Sequence, residues 1–327
     1  MKAVLVSLMV LWLAAPVGAQ NPPSPPPRID RQISITIDDL PAGAARRMSG
    51  PEIVDMTAKL VSTLRQQQVP AVGFVNERRL YYNFRETNDT LKALSLWLDN
   101  GFTLGNHTFG HTSLNRAGIK EFEESVIQGE PVLKLLLGAH GQTLRYFRHP
   151  FLETGRDLKT RGEVDAFLTE RGYRIAPVTL DGWDWNFSAL YDEARRRGDK
   201  ALQQEVVTSY LAYHEAVFDY YEKLVRSLLG YEPKQILLLH ANWLEAEHVG
   251  ELLELIKRRG YRFITLENAL SDDAYGLPDT WVGEEGRGWI ERWAITRGQP
   301  PLNAPVFPAG IQAQIDALPK ALQPDSE

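Results

Sequence analysis

Phe102-Thr103-Leu104-Gly105-Asn106-His107-Thr108-Phe109-Gly110-His111 begins as a short apolar, strand-like run and passes directly into a polar stretch with two histidines four residues apart. One helical or near-helical turn at that spacing would bring both imidazoles to the same side. Neutral imidazole is a common ligand for transition metals. Taken alone, the pair fits capping or packing histidines equally well. The stretch matters because its arrangement, an apolar run ending in a chemically useful side chain, recurs along the chain.

Ile33-Ser34-Ile35-Thr36-Ile37 alternates apolar and polar residues and ends in Asp38-Asp39, followed by turn residues. Ser49 and Glu52, with Pro51 between them, read as a capping box, and Ile53, Leu60, Val61 and Leu64 continue at helical spacing until Pro70. Further strands are expected over 72–75, 102–104, 144–147, 173–178, 235–239 and 261–265. Helices are expected over about 91–98, 120–137 with a break near Gly129 and Pro131, 164–171, 200–229 and 249–256. Arg148 follows the fourth strand run, Asp184 the fifth and His240 the sixth. About seven strand–helix units with no glycine-rich phosphate loop after the first strand favour a distorted (β/α) barrel, in which strand C-termini form one face and carry the active site. The segment from about residue 271, with Trp281, Trp289 and Trp293, reads as a C-terminal extension, so the catalytic domain is expected over 31–270 and the extension over 271–327.

The chain has 327 residues, a formal net charge of -6, 43% hydrophobic residues and no cysteine. That composition allows a substantial core without disulfides. No basic stripe is present, which argues against nucleic acid as the main partner. Met1-Lys2, the apolar run 4–15 and Val17-Gly18-Ala19 read as an export signal cut after Ala19. The apolar run is too short for a stable membrane span. The Pro-rich stretch 20–30 reads as a linker, and the mature protein is expected to be periplasmic or secreted.

Five segments, in order, resemble the motifs of the polysaccharide deacetylases (carbohydrate esterase family 4, the NodB homology domain). Thr36-Ile37-Asp38-Asp39-Leu40-Pro41 is similar to Thr-Phe-Asp-Asp-Gly-Pro, and His107-Thr108-Phe109-Gly110-His111 to His-Ser/Thr-x-x-His. Arg148-His149-Pro150-Phe151 resembles Arg-x-Pro-Tyr/Phe, Asp181-Gly182-Trp183-Asp184-Trp185 resembles Asp-x-x-Asp-Trp, and Leu238-Leu239-His240 resembles Leu-x-His. The likeness spans roughly residues 31 to 268.

The resemblance implies a metal-dependent hydrolase that removes N-acetyl groups from a carbohydrate of the chitooligosaccharide or peptidoglycan type. Amide hydrolysis at neutral pH needs an activated water, a polarised carbonyl and a proton for the leaving amine. The implied metal ligands are Asp39, His107 and His111, a set suited to Zn2+, with Co2+ or Ni2+ as other divalent candidates. Successive side chains on a strand diverge, so one of the two adjacent carboxylates is expected to bind and the other, Asp38, to act as base. His240 is implied as general acid. Arg148 is implied as the partner of Asp38, and Asp184 as that of His240. Trp185 and Leu238 would line an acetyl pocket, and the backbone N–H of Phe151 would face the oxyanion.

Other readings accompany each residue. Asp38-Asp39 also fits a strand-end turn, Arg148 a structural ion pair, and His240 a core histidine. An O-acetyl esterase, a hydrolase of a non-sugar amide, or a non-catalytic carbohydrate-binding relative would share the fold. Leu40 stands where the family usually has glycine, Ile37 where it has an aromatic residue, and His149 where proline is frequent; these departures bear on substrate more than on reaction. The sequence leaves the oligomeric state open.

Overall fold

The computed structural model describes residues 30–299 and 303–323. The export signal and nearly all of the Pro-rich linker lie outside the described residues. Eight strands form one sheet: β1 (Arg31–Leu40), β2 (Ala71–Val75), β3 (Thr103–Asn106), β4 (Tyr146–Phe147), β5 (Arg174–Ile175), β6 (Leu180–Asp181), β7 (Gln235–His240) and β8 (Tyr261–Phe263). Every ladder is parallel, in the order β5-β4-β3-β2-β1-β7-β6, with β8 paired to the start of β1.

The curvature of the sheet follows from chain length. Six steps of about 4.8 Å separate the outer strands of a flat seven-stranded ladder, about 29 Å in all. The two outer strands, β5 and β6, are joined only by residues 176–179. Five Cα steps reach at most about 18 Å. The sheet therefore curls towards closure, and among the described residues no ladder bridges the seam between β5 and β6. This is the distorted (β/α) barrel expected from the alternation of elements. The sequence reading took 173–178 as one strand; the structure divides it. Pro177 has no N–H to donate to a ladder, so the chain leaves β5 before it and re-enters the sheet on the opposite edge as β6.

β1 is central and buried on both faces, as parallel strands require. Ile33, Ile35 and Ile37 are inaccessible and share a cluster with Leu60 and Leu64 of the helix Gly50–Gln66 and Leu252 and Ile256 of the helix Trp243–Arg258. A second cluster, including Val72, Phe74, Tyr146, Ala176 and Ile236, gathers residues of neighbouring strands. The expected capping box is present: Ser49 accepts from the Glu52 N–H, and the Glu52 side chain accepts from Ser49. The expected break near Gly129 separates the helices Ile119–Gln128 and Pro131–Ala139. The long helix is Lys200–Leu229.

The C-terminal segment packs into the body of the fold. Phe307, Ile311, Ile315 and Leu318 join the main hydrophobic cluster. Ile290, Trp293 and Ala294 pack with Val225 and Leu228 of the long helix. Among the described residues no helix is long and apolar enough to cross a membrane.

Candidate active site

The C-terminal ends of β1, β3, β4 and β7 meet at one face. The register between β1 and β2 shifts between Ile37 and Leu40, and Asp39 has a φ of 68°. That kink changes what two adjacent aspartates can do. The side chains do not simply diverge, as an extended strand would require: the Asp38 Oδ2 lies 3.6 Å and the Asp39 Oδ1 3.9 Å from the same nitrogen, His107 Nε2. His111 Nε2 is 3.7 Å from Asp39 Oδ1.

His107 and His111 do not share a helical turn. They sit in an irregular loop in which Thr108 and His111 have φ of 64° and 57°. Side-chain bonds hold this loop where helical bonds are lacking. Asn106 Oδ1 accepts from the Thr108 N–H at 2.8 Å, and Asn76 Nδ2 donates to the His107 carbonyl at 2.6 Å. Gly129 lies against this loop; a Cβ there would come within 2.9 Å of Asn106 Oδ1. The imidazole rings still converge, with centroids 4.8 Å apart. The 2.8 Å contact of His107 Nδ1 with the Arg148 carbonyl makes Nδ1 the donor, because a carbonyl only accepts. In the neutral ring Nε2 then carries the lone pair. Burial, reinforced by the neighbouring His111, holds the His107 pKa well below its usual value, so the ring stays neutral.

Asp39, His107 and His111 offer ligand atoms that all lie within 4.8 Å of one another. These residues fit a divalent metal on two further grounds. The buried Asp39 Oδ1, on the histidine side, has no hydrogen-bond partner among the described residues, whereas Oδ2 is held by Arg79 Nη2 at 3.1 Å. Burial disfavours charge on Asp39, but Arg79, His111, His240 and His107 outweigh it and hold the carboxyl below the usual carboxylate range. One carboxylate and two imidazoles form a donor set suited to zinc-like ions.

Two further groups flank this cluster. Arg148, fully buried, places Nη1 3.5 Å from Asp38 Oδ2 and donates from Nη2 to Thr36 Oγ1 at 2.8 Å. Burial pushes the Asp38 carboxyl up to about 6, against the opposing pull of Arg148 and His240. His240, in register with Asp38 on the adjacent strand, contacts the buried Asp184 twice, from Nδ1 at 2.8 Å and from its backbone N–H at 2.9 Å. Asn242 Nδ2 donates to the same carboxylate at 2.8 Å. Burial opposes a charge on His240, but Asp184 outweighs it and raises the imidazole to about 10.

Phe151, Trp185 and Leu238 line one cavity with Asp38, Asp39 and His240. Phe151 has a φ of 54°, and its ring meets that of His111 edge-on at 4.3 Å. Every site residue expected from the sequence is therefore brought to one cavity or directly behind it. Arg79, Asn76 and Asp181 were missed. Asn76 follows β2 directly and Arg79 lies three residues further on, so the strand-end rule that found the others could have found them too. Asp181 lies within a quoted motif, lines the cavity, and is pushed up to about 6 by burial.

A family model described as polysaccharide deacetylase matches residues 26–164. A curated relative, the peptidoglycan-N-acetylglucosamine deacetylase of Bacillus cereus, is 25% identical over 154 residues, covering 47% of this chain and 46% of that protein. The chain thus spans about half the length of the curated relative it matches. Among solved structures, a family 4 carbohydrate esterase from Bacillus anthracis is 20% identical with a TM-score of 0.44, covering 74% of this chain and 83% of that one. A family 4 carbohydrate esterase from Streptomyces lividans in complex with acetate is 18% identical with a TM-score of 0.45, covering 74% and 96%. A CE4 family pseudoenzyme from Bacillus anthracis is 16% identical with a TM-score of 0.47, covering 74% and 66%. The matched stretch, residues 26–164, is less than half of the chain, and over that stretch the chain is similar to the polysaccharide deacetylases.

Proposed function

We propose that the chain is a metal-dependent deacetylase that removes N-acetyl groups from an acetylated carbohydrate and releases acetate. The observation that carries this reading is the meeting of Asp39, His107 and His111 within 4.8 Å, with Asp38 and His240 lining the same cavity. Asp39 Oδ1 and the two imidazoles would hold a divalent cation, with Zn2+ the best match to the donor set. When bound, such a cation supplies Lewis acidity that acidifies a water and polarises a carbonyl. Asp38 is the base that takes the water's proton, and its raised pKa suits a group that must gain and later lose a proton near neutrality. Arg148 orients it. His240, held protonated by Asp184, gives a proton to the departing amine. The backbone N–H of Phe151 serves the oxyanion, and Leu238 and Trp185 border the acetyl methyl.

The test is acetate release from N-acetylglucosamine oligomers and peptidoglycan fragments, with an acetyl-ester reporter alongside, before and after chelation. Release that chelator abolishes and added Zn2+ restores supports the reading. Turnover indifferent to chelator, or undiminished in Asp38→Asn, would overturn it. Hydrolysis of the ester but of no amide would move the assignment to an O-acetyl esterase.

A further inference from the structure

The cavity over the candidate site is not built by the barrel alone. One wall comes from the C-terminal segment, through Glu285, Gly286, Arg287 and Gly288, and another from the long helix, through Tyr213 and Tyr221. The C-terminal wall is fastened on both sides of the site. On the β4 side, Asn115 Nδ2 donates to the carbonyls of Gly283 at 3.0 Å and Glu284 at 2.8 Å. Gly286 lies so close to the 150–152 turn that a Cβ would collide with the Phe151 carbonyl. On the other side, Tyr221 Oη donates to Glu291 at 2.9 Å, and the Trp289 N–H to the Val178 carbonyl at 2.7 Å.

Behind the wall, Asp279 is buried between Arg161 at 3.0 Å and the inaccessible Arg292 at 2.6 Å. Breaking a buried pair of this kind leaves an uncompensated charge, so the wall is a fixed part of the fold and not a lid. At its closest approach to the candidate ligands, Gly286 presses on Phe151, whose ring abuts His111. The cavity volume is about 660 Å³. That falls within the range of roughly 300–1,000 Å³ in which single small ligands are enclosed.

We propose that the segment 279–291 is a specificity wall that restricts the site to a short oligosaccharide or the terminal residue of a chain, excluding the interior of a polymer. This rests on the deacetylase reading above. An open groove gains contacts with each added sugar. A walled cavity gains them only until it is filled.

The experiment measures binding of N-acetylglucosamine monomer through hexamer to the full chain by calorimetry, with acetate release per acetyl group on the same series and on soluble polymer. The expected result is affinity that changes less than about threefold from dimer to hexamer, with polymer a poor substrate. Gly286→Ala, which pushes the wall off Phe151, and the Glu285→Ala/Arg287→Ala double variant, which trims it without a backbone clash, should each restore a gain with length. Affinity that rises more than about tenfold from dimer to hexamer in the unaltered protein overturns the wall and leaves the deacetylase reading standing. Binding of no N-acetylated sugar overturns both.

Discussion

Asp39 is gripped from two directions. Arg79 holds Oδ2, and Oδ1 is left towards the histidines with no other partner among the described residues. A partner behind a ligand fixes its orientation, and its loss typically costs about 10–100-fold in metal affinity. Arg79→Ala should therefore weaken Zn2+ binding by about that factor, measured by competition with a chromophoric chelator. Asp39→Ala should abolish stoichiometric binding, measured by elemental analysis of the purified protein. A second prediction concerns His240, whose raised pKa depends on Asp184 overcoming burial. Asp184→Asn removes the largest opposition to the burial penalty, so the imidazole pKa falls and the protonated acid is lost at lower pH. The alkaline limb of the pH–activity profile should move down by about one to three pH units. An unmoved limb would show that His240 is not the group titrating there.

The strand ends were legible because each motif is local: an apolar run places its terminal polar residue on the barrel's functional face whatever the distant chain does. Two local details were not. The helical turn assigned to His107 and His111 is replaced by a loop with positive φ at Thr108 and His111. Its shape depends on Asn76 and on Gly129, which are remote in sequence. The single strand read over 173–178 divides at Pro177, where the missing N–H should have been weighed against apolar continuity. For the elements that were read correctly, stability follows from burial and capping. Ile35→Ala, in the middle of the inaccessible face of β1, should cost about 2–5 kcal/mol. Ser49→Ala should cost about 1 kcal/mol through the lost cap. Both are measured as shifts in the chemical denaturation midpoint.

Phe307 tests the molecule as a whole. Its ring lies 4.6 Å from that of Phe187 and 5.6 Å from that of Tyr213, so the C-terminal segment is stitched to the helix Asp184–Arg197 and to the long helix. Phe307→Ala should cost about 3–5 kcal/mol in a single cooperative unfolding transition. A separate early transition with the main one unmoved would mark the segment as an independent module. The sequence could not show this packing, and the segment therefore reads there as an extension. Its composition carried tryptophans and prolines but no periodicity that says what they pack against.

The order of apolar runs, breaks and polar strand ends was enough to specify a (β/α) barrel and to name the residues that gather at its mouth, because those signals act over a few residues and a parallel barrel converts position along each strand into position in space. The kink at Asp39 that turns two neighbouring carboxylates towards one histidine, the Arg79 that holds one of them, and the C-terminal wall over the cavity arise from contacts between residues up to 169 positions apart. Those contacts depend on how the curled sheet brings distant surfaces together, and the linear pattern of the chain carries no record of it.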